Sequence, residues 1–129
     1  MAEAAAKRLA SFSNVTVQHG DMHALASEAH RFDLVLMLHA LTYSEQPSKA
    51  LSEAARVLRP GGRLLAVTLG KHDHRAVVEP FDHRNLGFTQ HDLTDLAKHA
   101  GLDVISCNRL SRERKAPYFE VISLLARKP

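Results

Sequence analysis

Phe32-Asp33-Leu34-Val35-Leu36-Met37-Leu38 and Leu64-Leu65-Ala66-Val67-Thr68-Leu69 are the two stretches whose reading decides the fold. Each is an almost unbroken apolar run, the pattern of strands covered on both faces, as in a parallel sheet. Between them, Pro47 to Leu58 puts Ala50, Leu51, Ala54, Ala55 and Leu58 on one face at helical spacing. A strand, a helix and a strand joined by so long a link form a βαβ crossover. The hinge is Arg56-Val57-Leu58-Arg59-Pro60-Gly61-Gly62-Arg63. Proline cannot continue the helix, and the glycines allow positive φ before the second strand starts.

Working outward toward Met1, Ala2 to Phe12 is alanine-rich and predicts a helix, with Leu9 as its main apolar anchor. Asn14-Val15-Thr16-Val17-Gln18 reads as a short strand ended by His19-Gly20-Asp21. Met22 to His30 is expected to hold a turn of helix. This alternation is half of a doubly wound sheet.

Working outward from Leu69, a polar loop runs from Gly70 to Phe88. Thr89 and Asp92 have the spacing of a capping box, so a helix starts there. Leu93, Leu96, Ala97 and Ala100 share its buried face, and Gly101 stops it. Leu102 to Arg109 and Tyr118 to Ala126 are strands with a link too short for a parallel crossover, so they pair antiparallel. The expected architecture is α/β: an incomplete, Rossmann-like doubly wound sheet, mostly parallel, closed by an antiparallel hairpin. All 129 residues are expected to form one domain.

Composition narrows the classes. A charged share of 24% against 45% hydrophobic residues describes a globular chain. No apolar run reaches the roughly 20 residues of a membrane span, so no membrane partner is expected. Cys107 is the single cysteine, which excludes an intrachain disulfide and suits a cytoplasmic location. The net charge of +3 permits loose attraction to nucleic acid without calling for it. Arg109, Arg112, Arg114 and Lys115 read as a solvated loop, because no aromatic residues interleave them.

Phe32-Asp33-Leu34-Val35 and Ala54-Ala55-Arg56-Val57-Leu58-Arg59-Pro60-Gly61-Gly62-Arg63-Leu64 together resemble the fourth strand, following helix and fifth strand of class I S-adenosylmethionine-dependent methyltransferases. With Gly20-Asp21 before them and Lys71-His72-Asp73-His74 after, the chain most resembles the methyltransferase part of bacterial ArsR-type regulator–methyltransferase fusions. The resemblance implies S-adenosylmethionine as cofactor and a small-molecule methyl acceptor. It places Asp21 at the adenine amino group, Met22 against the adenine ring, and Leu38 and His39 beside the cofactor and the transfer site. Tyr43, His72, His74 and His83 become candidates for the substrate side. No metal is expected, since the loop histidines lack the tight spacing of structural zinc sites.

One element of that family is missing. Its glycine turn, where backbone N–H groups meet the methionine end of the cofactor, needs a Gly-x-Gly pattern. The glycines here are Gly20, Gly61, Gly62, Gly70, Gly87 and Gly101, and none form it. The acidic residue that holds the ribose is missing too. The chain is therefore expected to be about the back two-thirds of such a domain: a fragment, a mis-started frame or a degenerate paralogue. Weak or absent cofactor binding follows, with catalytic residues left unassigned. Two further readings stand beside the enzyme: a sensor module of a regulator, touching nucleic acid only through a preceding DNA-binding segment, and a non-catalytic remnant. Without neighbouring strands, Phe32–Leu38 becomes a long apolar edge, so a homodimer is expected.

Overall fold

The structure, a computed structural model, describes residues 2–129. Its elements are α1 (Ala2–Leu9), β1 (Phe32–Leu38), α2 (Pro47–Val57), β2 (Leu58–Leu69), α3 (Arg75–Val78), α4 (Gln90–His99), β3 (Asp103–Arg112) and β4 (Glu120–Arg127). Short 3-10 turns occupy Leu41–Tyr43 and Glu79–Phe81.

The four strands lie in the order β1-β2-β4-β3. β1 pairs parallel with β2, and β4 pairs antiparallel with both β2 and β3. Three strands thus point one way and β4 runs against them: the mixed α/β sheet with a terminal antiparallel hairpin that the loop lengths require. It is also the order of the last four strands of the resembled fold.

α2 starts at Pro47, whose missing N–H costs nothing in the first turn. It ends where Leu58 turns extended. Gly61 takes φ +84°, and a Cβ on Gly62 would meet Arg59 O at 2.8 Å and Phe32 O at 3.1 Å. Glycine there lets β2 run tight against the start of β1. The Thr89 capping box forms as expected: Thr89 Oγ1 accepts from Asp92 N–H at 2.9 Å, and Asp92 Oδ2 accepts from Thr89 N–H at 3.4 Å.

The core lies between the sheet and α2 and α4, which pack on each other and on β2, β3 and β4. Leu64, Ala66, Leu124 and Ala126 point into it from the strands, and Leu51, Ala54, Leu93 and Ala97 from the helices; all are buried. Fully burying one such leucine is worth about 1.5–3 kcal/mol. The opposite sheet face has no helix over it among the described residues. Register puts Leu36 beside Leu65 and Leu65 beside Leu125 on that face, with Leu38 beside Val67. Leu36 and Leu38 are 53% and 62% exposed. β1 is indeed an edge strand, and α1 buries none of its residues.

Three readings of the sequence are corrected. Asn14–Gln18 forms no strand, because no neighbouring strand takes up its backbone groups. Met22–His30 holds no helix; it is turns and bends. The first helix stops at Leu9 rather than Phe12, and Phe12 is left exposed.

Candidate functional site

The carboxyl ends of β1 and β2 lie side by side, and three chain segments gather there. The first carries Asp21. Its Oδ1 accepts from the backbone N–H of His23 at 2.9 Å and lies 2.8 Å from His23 Nδ1. These bonds, backbone first, hold the Asp21 carboxyl below its ordinary 3.8. The far ring nitrogen, His23 Nε2, is 2.6 Å from Ser44 Oγ. Asp21, His23 and Ser44 therefore line up as an acid, an imidazole and a hydroxyl. Ser44 is buried, and its Oγ also accepts from Gln46 N–H, so this hydroxyl meets no substrate. The chain of bonds is a latch that fixes the Asp21 turn to the segment leaving β1.

α2 holds the rest of the same turn. Glu53 Oε1 accepts from Leu25 N–H at 2.8 Å, and Arg56 Nη2 donates to Leu25 O and Ser27 O. The Glu53 carboxyl is held below its ordinary value, first by Arg56. Met22 packs half-buried against the core. A segment without regular structure is positioned by side chains of its neighbours.

The second segment is the exit of β1. His39 has φ +57°, and its N–H donates to Val67 O at 2.7 Å. Leu38 and His39 are both exposed, free to border a ligand. The third segment is the histidine loop. Asn85 Nδ2 donates to Leu41 O at 2.7 Å and to Ser44 O at 3.2 Å, tying the loop to the same exit. Gly87 has φ +82°, and a Cβ there would sit 2.3 Å from Gly70 O. Glycine alone lets the end of the loop close on the end of β2.

The histidines are not scattered. His72 and His74 stack with ring centroids 5.8 Å apart. Phe119, just before β4, meets both edge-on, at 4.7 Å from His72 and 5.7 Å from His74. Tyr43 meets His83 edge-on at 5.4 Å. Burial, then the charges of His74 and His83, pushes His72 below its ordinary 6.5, while Asp73 pulls it up. Among the described residues, no three His, Cys, Asp or Glu side chains are grouped to hold a metal.

Sequence reading missed His23, Asn85 and Phe119. Only His23 left a local signal: in Asp21-Met22-His23 the carboxylate reaches the N–H two residues on, which is ordinary Asx-turn geometry. Asn85 and Phe119 act across long sequence separations.

The arrangement fits one end of S-adenosylmethionine and not the other. The Asp21 carboxylate is exposed and its second oxygen has no partner among the described residues, as an adenine amino group requires. No glycine turn is present for the methionine end. When bound, that cofactor supplies an electrophilic methyl group.

A family model described as "Methyltransferase domain" matches residues 1–66, and the chain belongs to that family. The ubiquinone/menaquinone biosynthesis C-methyltransferase of Roseobacter denitrificans is 35% identical over 63 residues, which is 49% of this chain and 25% of that protein. Of solved structures, a Thermotoga maritima SAM-dependent methyltransferase superposes with TM-score 0.74 at 24% identity, covering all of this chain and 69% of its own. The [4+2]-cyclase SpnF superposes with TM-score 0.78 at 19% identity, over 98% of this chain and 60% of that one. The matched stretches span a quarter or less of the curated relatives' length. The fold is the Rossmann-like class I methyltransferase fold. No helix among the described residues is long and apolar enough to cross a membrane.

Proposed function

We propose that this chain carries the adenine-side and acceptor-side part of an S-adenosylmethionine-dependent methyltransferase acting on a small molecule. The observation that carries this reading is the latch: Asp21, through His23 and Ser44, is tied to the exit of β1. That exit lies at the ligand edge of an open α/β sheet. In this reading Asp21 takes the adenine amino group, Met22 and Leu38 pack on the ring, and His39 borders the transfer site. Tyr43, His72, His74 and His83 face the acceptor. Methyl transfer needs chiefly in-line positioning, so the protein's own residues bind and orient.

The finer affiliation, to the methyltransferase part of ArsR-type regulator fusions, belongs to the same proposal and rests on Lys71-His72-Asp73-His74. A sensor role without turnover is the second reading, and the SpnF likeness adds that this fold also serves other chemistry. The separating experiment is incubation of the purified chain with radiolabelled S-adenosylmethionine and a mixed set of phenol, thiol and amine acceptors. Label transferred to an acceptor, and lost in Asp21→Ala, supports the enzyme. Binding without transfer supports the sensor.

A further inference from the structure

The sheet ends in two edge strands, β1 and β3. β3 is guarded: its register shifts twice, and Arg109 and Arg112 stand exposed along its second half. β1 has no such guard. From Phe32 to Leu38 it carries one charge, Asp33, which pairs with Arg59. The N–H of His39 donates to Val67 O on β2. Backbone direction alternates along a strand, so the odd-numbered residues of β1 turn their N–H and C=O to β2. The even-numbered ones, Phe32, Leu34, Leu36 and Leu38, turn theirs to the open edge. Their side chains are also the exposed apolar groups of the bare face. A cavity of about 650 Å³ beside Phe32, lined also by Asn14, Thr16 and Gln18, leaves that end of the edge clear.

We propose that two copies of this chain pair antiparallel through β1, about a two-fold axis at Val35, and that each copy thereby sets its Arg31 beside the partner's His39. The strip is complementary to itself, which selects a second copy as its occupant, since a two-fold contact brings one surface against the same surface. With the axis at Val35, Phe32 lies opposite the partner's Leu38 and Leu34 opposite the partner's Leu36. These are pairs of the kind that exchange both N–H···O bonds, and each is apolar on apolar. An axis at Leu34 would set Leu38 against the partner's His30, and one at Leu36 would set Phe32 against the partner's Ala40, both outside the strand. One step past the last pair, Arg31 meets the partner's His39. Arg31 is exposed, with its guanidinium 5.8 Å from the Phe32 ring. Its own chain cannot bring this cation to the exit of β1. The ends of the strand are about 26 Å apart, well beyond the roughly 8 Å over which exposed charges act at physiological salt. The ligand edge is thus shared between copies. That consequence rests on the reading that His39 borders the transfer site; the pairing of β1 does not.

The test mixes two forms of the 129-residue chain. One is unsubstituted and labelled with nitrogen-15. The other carries a nitroxide on Arg31→Cys, with Cys107→Ala removing the native thiol. The amide signals of Leu38 and His39 in the first form should lose most of their intensity, while those of Arg31 and Phe32 keep most of theirs. Broadening strongest at Arg31 and Phe32, centred away from β1, or absent altogether would overturn the proposal. A second measurement leaves Arg31 untouched. Phe32→Cys and Leu38→Cys, each with Cys107→Ala, are oxidised separately and as an equal mixture. Like positions would be about 20 Å apart across the axis, far outside the reach of a disulfide. The mixture should therefore give several-fold more linked dimer than either variant alone, and equal yields in all three samples would overturn the register. Titration with S-adenosylhomocysteine, read at Asp21 and His39, tests the cofactor reading separately. A shift there without broadening removes this inference and leaves that reading; broadening without the shift does the reverse.

Discussion

The two faces of the sheet are built from the same kinds of residue and end up in opposite environments. Along β2, Leu64, Ala66 and Thr68 are fully buried beneath α2 and α4, while Leu65, Val67 and Leu69 between them are only half covered. On β1 the contrast sharpens: Met37 is buried, and its neighbours Leu36 and Leu38 are mostly exposed. A continuous apolar strand is suited to helices on both sides of the sheet, and among the described residues only one side has them. Apolar sequence reports what a strand is suited to meet, whereas burial reports what it meets. Contiguous exposed apolar surface of this kind marks a place where something else packs.

The largest expected difference between the faces is in stability. Leu93→Ala, on the covered side, should cost about 2–5 kcal/mol in urea unfolding. Leu36→Ser, on the bare side, should stay within about 0.5 kcal/mol in a monomeric sample. Equal losses would mean the second face is covered in solution. That outcome bears on self-association, which we propose uses this face and the β1 edge. Light scattering should give a dimer mass for the unsubstituted chain and a monomer mass for Leu36→Lys; a monomer in both would end the dimer proposal. A smaller effect belongs to the rim of the covered side. Thr89→Ala removes a formed capping box and should cost about 1 kcal/mol, read as a shift in the urea midpoint at unchanged slope.

The smallest effect is the pH dependence at the ligand edge. His72 is held below its ordinary 6.5, so between its folded value and 6.5 the unfolded chain binds the extra proton. Stability should therefore fall as pH drops below about 6.5, and His72→Phe should flatten that fall. Asp21 works at more acid pH. Its carboxyl is lowered from 3.8, so its contribution is present above 3.8 and disappears as pH falls through the folded value. Melting curves from pH 7 to pH 3 check both signs, and a fall confined to pH below 4 would mean that His72 contributes nothing to it.

Legibility in the sequence followed distance along the chain. The βαβ unit, the Thr89 box and the antiparallel hairpin each rest on spacings of a few residues or on loop length, and all three are found as expected. Asn14–Gln18 has the composition of a strand, but a strand exists only with a partner, and composition cannot supply one. The site was legible as an edge rather than as a set of contacts. The resemblance points to Asp21, Leu38 and His39, whereas the bond from His23 to Ser44 spans 21 residues and that from Asn85 to Leu41 spans 44. Phe119 gave no local sign that it would close the histidine cluster. Contacts of that range are set by packing, which a linear reading does not contain.

If the Asp21 turn, latched to the exit of β1, is the adenine end of a cofactor site, titration of the labelled chain with S-adenosylhomocysteine will show it most directly. Amide shifts should be confined to Asp21–His23 and Leu38–Ser44, and Asp21→Ala should abolish them. The dissociation constant should be weaker than roughly 100 μM, since two or three charge-assisted contacts are absent. Shifts centred elsewhere would contradict the site, and a low-micromolar constant would contradict the view that the methionine end goes unheld.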